Sequence, residues 1–209
     1  MKLASVTYVS VVLLNLVHCQ FRLIFPLQQH FEFENVVTED QLEHWQWRSE
    51  AYSNKTLRLN DVNQTFTVEL YLCFDPIDPS ENVTMYISDI RYSNDGPSDI
   101  VYVTLDGKSV GNITTDARWR AGHEWNIFKN TGMIGQPQTL YAGEHVLRLS
   151  TRTDSYGIEL DRIRVNLVNH RISTFLFCGS KLVKNDRSSD STPSSIIPRW
   201  VWQLVPGTL

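Results

Sequence analysis

The chain has 209 residues, a formal net charge of −4 and 42% hydrophobic content, 11% of the residues being aromatic. That is enough apolar material for one packed domain with tails. The near balance of charge leaves no basic footprint for a nucleic-acid backbone, and beyond the first twenty or so residues no apolar run is long enough to span a bilayer.

Residues 1–19 read as a secretory signal peptide. Lys2 supplies the positive start, Val9 to Val17 is apolar apart from Ser10 and Asn15, and Val17-His18-Cys19 places the cut after Cys19. A membrane anchor is the competing reading, but the run is shorter than the roughly 20 residues that a span needs. Four sequons follow, at Asn54, Asn63, Asn82 and Asn112. Behind a signal peptide they imply a secreted glycoprotein with those asparagines at the surface. Removal of Cys19 leaves Cys73 and Cys178. A pair in an oxidising compartment favours one disulfide over two separately buried thiols.

Glu39 to Trp47, with Thr38 as cap, is the one short helical candidate. Phe66, Val68, Leu70, Leu72 and Phe74 alternate with polar or smaller neighbours, the period of a half-buried strand. Val83 to Tyr92 is a second strand, closed by Asn94-Asp95-Gly96-Pro97. Ile100 to Leu105 and Lys108 to Ile113 flank Asp106-Gly107, a two-residue hairpin turn. Further strands are expected at Glu124 to Phe128, His145 to Thr151 and Ile158 to Val168. In the last of these the apolar face moves from even numbers (Ile158, Leu160) to odd numbers (Ile163, Val165, Leu167), which places a bulge at Asp161-Arg162. After Cys178 the pattern is lost. Residues 183–209 read as a disordered or truncated tail, Ser-, Asp- and Pro-rich at first. Short strands between frequent turns give an all-β fold, an antiparallel β-sandwich over residues 30–178.

Four pieces in order carry a family resemblance: Phe31-Glu32-Phe33-Glu34-Asn35, Ile90-Arg91-Tyr92-Ser93-Asn94-Asp95-Gly96, Ala142-Gly143-Glu144-His145-Val146-Leu147-Arg148-Leu149 and Ile158-Glu159-Leu160-Asp161-Arg162-Ile163. From about Phe31 to Val168 the chain resembles the family 6 and family 35 carbohydrate-binding modules, which are galactose-binding-like jelly-roll sandwiches. The resemblance implies a non-catalytic, lectin-like module that binds a glycan. It also implies a structural metal site at Glu32, Glu34 and Asp161. Glu32 and Glu34 are two apart, so on a strand they share a face. If the first and last strands are neighbours, Asp161 joins them, and three carboxylates suit Ca²⁺.

A sugar site needs an aromatic plate for the apolar face of the ring and polar groups for its hydroxyls. Trp119, between Arg118 and Arg120 in a polar loop, is the expected plate, with Tyr156, Glu159 and Tyr92 as further ligand contacts. Glu159 stands where the family has an Asn, and an ionised carboxylate accepts hydrogen bonds but donates none. Trp125 opens an apolar run and reads as core. No nucleophile motif, phosphate loop or zinc-helix motif occurs, so no enzyme is expected. The alternative to sugar binding is a structural or protein-interaction ectodomain.

Overall fold

The computed structural model describes residues 27–76, 82–117, 125–168 and 172–185. The stretch expected to be a signal peptide, Trp119 with its flanking arginines, and residues 186–209 lie outside them.

Among the described residues, twelve strands form two antiparallel sheets. They are β1 (Leu27–Glu32), β2 (Trp45–Trp47), β3 (Lys55–Leu59), β4 (Thr65–Pro76), β5 (Val83–Asn94), β6 (Ile100–Leu105), β7 (Lys108–Thr114), β8 (Lys129–Asn130), β9 (Ile134–Leu140), β10 (Gly143–Arg152), β11 (Ile158–Val168) and β12 (Ile172–Asn185). The first sheet runs β2-β3-β11-β5-β8, with β1 also pairing β11 and β9 pairing β5. The second runs β12-β4-β10-β6-β7. From β3 onward the chain crosses between sheets at every connection except β6–β7 and β8–β9, the winding of a jelly-roll sandwich.

Alternation builds the core. Phe66, Val68, Leu70 and Leu72 of β4 are all fully buried, and Leu147 and Leu149 of β10 pack beside them. From the other sheet come Met85, Ile87 and Ile90 of β5 and Leu160, Ile163, Val165 and Leu167 of β11. Each such side chain, buried, stabilises the fold by about 1.5–3 kcal/mol relative to an exposed one. The Asp106-Gly107 turn closes the β6–β7 hairpin as expected, with φ of 49° and 77°. Both residues thus occupy the left-handed region that a type I′ turn requires. The bulge in β11 is where the parity change puts it. Leu160 faces Tyr92 and Arg162 faces Arg91, so Asp161 is the extra residue.

The elements differ from expectation in four places. The helix before β2 is a 3₁₀ turn at Glu39–His44, and Trp45–Trp47 is a strand. The Thr38 hydroxyl bonds the side chains of Asp40 and Gln41, not a backbone N–H. Residues 125–128 form no strand; pairing begins at Lys129. β9 was hidden by Gly135 and Pro137, and the register shift between β5 and β9 lies at this point, where a proline's missing donor is tolerated. β12 extends past Cys178 to Asn185, which pairs Thr65 of β4, so backbone pairing overrides a weak side-chain pattern there.

Cys73 and Cys178 form a disulfide with Cα atoms 5.8 Å apart. Phe177 faces Leu72 and Gly179 faces Tyr71, so Cys178 is itself a bulge residue. The bulge turns its side chain towards Cys73 on the neighbouring strand.

Candidate functional site

Among the described residues expected to meet a sugar, Tyr92, Glu159 and Tyr156 do not share one surface, and Trp119 lies outside the described residues. Tyr92 faces Leu160 across the β5–β11 pair, and Ser93 faces Glu159. Neighbours along a strand point to opposite faces, so Tyr92 enters the core while Glu159 lies on the outer face of the sheet. Tyr92 is 6% exposed and belongs to the hydrophobic core. Glu159 is fully buried and cannot line a loop rim. Arg48 covers it, with Nε donating to Oε2 at 2.8 Å and Nη2 to Oε1 at 2.5 Å; the Thr56 hydroxyl donates to Oε2 at 3.2 Å. Burial pushes the Glu159 carboxyl above its usual range, while Arg48, Arg58 and Thr56 pull the other way. Glu159, expected at a ligand rim, is thus half of a buried ion pair. Tyr156 is exposed as expected, at 42%. Its Cβ and ring lie where a side chain at residue 96 would stand, 2.6 Å from an added Cβ, so Gly96 is what lets it pack there. Asp154 holds this turn by accepting the backbone N–H groups of Tyr156 and Gly157.

The three carboxylates expected to hold a metal are divided. β1 ends at Glu32, and Glu34 falls in the 3₁₀ turn Phe33–Val36, not on a strand. Asp161 is fully buried and takes Arg91 on Oδ2 and the Tyr52 backbone N–H on Oδ1. Among the described residues, the oxygens of Glu32, Glu34 and Asp161 do not gather within 4.8 Å of one another. Glu34 keeps a feature that a cation would satisfy. Ser53 donates to its Oε1, but its buried Oε2 has no hydrogen-bond partner. Burial, with Glu32 alongside, raises the Glu34 carboxyl from 4.5 to about 7. Consecutive residues Tyr52 and Ser53 therefore bridge Asp161 and Glu34.

Sequence reading missed the aromatic residues on the outer side of the first sheet. Trp47 is 72% exposed, and the Lys55 ammonium sits 5.1 Å from its ring and 4.3 Å from that of Trp45. Arg58 stacks on Trp125 and Arg162 on Tyr52. Trp125 is half-buried under this cation, not a core residue. The alternation in Trp45-Gln46-Trp47 was the available signal, masked by the helical reading of that stretch.

The sheets part where β7 meets β8 and β9, and an open cleft of about 340 Å³ lies there. Asn112, Thr114, Asp116, Lys129, Asn130 and Thr131 supply its polar lining; Tyr92, Ile113, Met133 and Ile134 supply the apolar part. Asp116 is held by Lys129. Asn94 anchors the adjoining turn, donating from Nδ2 to the Thr115 hydroxyl at 2.8 Å and to the Asp116 carbonyl at 3.0 Å. Beneath this end, Asp99 is buried near Asp154, and burial raises its carboxyl from 3.8 to about 7.

No family model matches this chain, and no curated protein matches it either. Solved structures with a similar chain path include a family 35 carbohydrate-binding module from an environmental isolate. It shares 14% identity over 66% of this chain and 91% of that one, with a TM-score of 0.45. A family 35 module from Cellvibrio japonicus Abf62 shares 17% identity over 73% of this chain and 97% of that one, with a TM-score of 0.42. A Podospora anserina GH26-CBM35 β-(1,4)-mannanase shares 14% identity over 70% of this chain, which spans 29% of that protein, with a TM-score of 0.41.

Proposed function

We propose that this chain is a secreted, N-glycosylated, non-catalytic carbohydrate-binding module whose ligand lies in the cleft between β7, β8 and β9. The observation that carries the reading is the lining of that cleft. Side-chain amides of Asn112 and Asn130, hydroxyls of Thr114 and Thr131 and the Lys129–Asp116 pair surround a space of about 340 Å³. Such a set both donates and accepts hydrogen bonds, as a ligand dense in hydroxyls requires. Met133, 63% exposed, offers an apolar surface for a sugar-ring face. Glycoside hydrolysis commonly uses a pair of carboxyl groups across the bond. Among the described residues of this lining Asp116 is the one acid, and Lys129 neutralises it.

A glycan-array screen of the secreted protein and of its Asn112→Gln variant, which carries no glycan in the cleft, tests this reading. In the Asn112→Gln background, Asn130→Ala should weaken binding at least tenfold while the melting temperature stays within about a degree; Thr131 is left in place because its hydroxyl accepts the Ile90 backbone N–H. Trp119→Ala is the companion variant, because a plate in that loop is the other way to hold a sugar. Loss of binding with Trp119→Ala alone would move the site to the loop, and silence of the whole array for both the wild-type protein and Asn112→Gln would favour a protein-interaction domain.

A structural cation belongs to the same proposal, with Glu34 as its first ligand. The partnerless Oε2 and the neighbouring Glu32 fit a hard cation with oxygen ligands. Asp161 would join only by sharing its carboxylate with Arg91.

A further inference from the structure

We infer that the cleft is filled in cis by the glycan on Asn112, so that glycosylation of this one sequon closes the site to outside ligands. The inference rests on the sugar-binding reading above and on passage through the secretory pathway. All four sequon asparagines are exposed, but they are not equivalent. Asn54 and Asn63 lie in turns with φ of 62° and 60°, and the Asn63 side chain accepts from Arg152 at the surface. Asn82 precedes β5, and none of these three lines the cleft. Asn112 does, together with Thr114 of the same sequon.

The backbone explains why. In β7 Val110 is a bulge residue, so that Val110 and Ile113 both point inward, while Asn112 and Thr114 on either side of Ile113 are exposed. β7 is the outermost strand of its sheet, and the cleft opens beside it. A sugar joined to the Asn112 amide nitrogen begins within the lining. Its first rings are tethered a few bonds from Asn130, Thr131 and Met133. A short tether gives an effective concentration on the order of millimolar or more. A shallow polar cleft that binds single sugars weakly would be saturated by such a tethered ligand, and a free glycan would have to displace it. An unglycosylated Asn112 leaves the same cleft open.

The test is native digestion of the secreted full-length protein with a peptide-N-glycosidase, followed by site-resolved mass spectrometry. The expected result is at least tenfold slower release from Asn112 than from Asn54, Asn63 and Asn82, with equal release from all four after denaturation. Asn130→Trp, which fills the cleft, should evict the glycan and bring the Asn112 rate up to the others. Equal rates on the native wild-type protein overturn the inference, and so does an Asn112 left bare while the other sequons are occupied. Slow release that Asn130→Trp does not change also overturns it, because the protection then comes from the strand and not from the cleft. The sugar-binding reading is tested separately by Asn112→Gln on the glycan array. Binding gained by this variant supports both readings. A protected Asn112 glycan beside a silent Asn112→Gln array supports the filled cleft and defeats binding in trans. A secreted protein with no glycan at any sequon defeats the secretory premise as well as the inference.

Discussion

Arg48 and Glu159 form a two-point ion pair, Nε to Oε2 at 2.8 Å and Nη2 to Oε1 at 2.5 Å, with Glu159 wholly out of solvent. Taking both charges out of water is costly, and the gain of a buried pair over apolar residues is small. Removing one partner is a different matter. Arg48→Ala strands a carboxylate to which, among the described residues, Thr56 alone still donates, and should cost about 3–5 kcal/mol. Replacing both residues with apolar ones of similar volume should restore much of that loss. Urea denaturation of the two single variants and the double variant measures the coupling.

The second prediction concerns pH. Asp99 has its carboxyl raised from 3.8 to about 7 by burial, with Asp154 adding repulsion. The folded state then holds a proton that the unfolded chain releases between about pH 4 and 7. More protons bound in the folded state means that this group's contribution to stability falls as pH rises through that window. Asp106 has the opposite sign. Burial acts against it, but the hydrogen bonds from His145 and the Val146 N–H hold its carboxyl below the usual range, so its contribution is lost on acidification below about pH 4. Thermal melts of Asp99→Asn should show a smaller fall in stability between pH 5 and 7.5 than the wild-type protein. An unchanged slope would remove Asp99 as its source.

Calcium can be checked without any sugar. If Glu34 holds the ion with Glu32, a chelator should lower the melting temperature by several degrees and added Ca²⁺ should restore it. Glu34→Gln should abolish the response. Asp161→Asn should keep it if the Arg91 pair is undisturbed by the ion, and lose it if Asp161 is a ligand.

The disulfide is open to a direct test. Cys73 and Cys178 enclose a separation of 105 residues. A loop of that length constrains the unfolded chain by on the order of 4 kcal/mol in the chain-entropy account. Cys73→Ser with Cys178→Ser should lower stability by no more than that, since β12 keeps its hydrogen bonds to β4.

Much of the fold was legible because its signal is local. The alternation in β4 and the Asp106-Gly107 turn are decided by a few adjacent residues, and both are realised in the structure. β9 and β12 were not legible, because they are held by pairing with β5 and β4, and Pro137 and Gly179 argue locally against a strand. The site was harder still. The position of Glu159 pointed to a loop rim, but its environment is set by Arg48, 111 residues away in the chain. Asn112 was visible only as a sequon. That it lines a cleft depends on how β7 meets β8 and β9.

The bulge at Asp161 has a consequence for assembly of the sheet. Strict alternation is blind to a slide of two residues, since every side chain keeps its face. β11 escapes that ambiguity because its two halves carry opposite parity, Ile158 and Leu160 before the break and Ile163, Val165 and Leu167 after it. A slide of two would carry the parity break past Arg91 and leave part of one half facing the wrong way. The irregularity therefore acts as a positional key, giving the central strand of the first sheet a single pairing in which Ile158, Leu160, Ile163, Val165 and Leu167 all face inward.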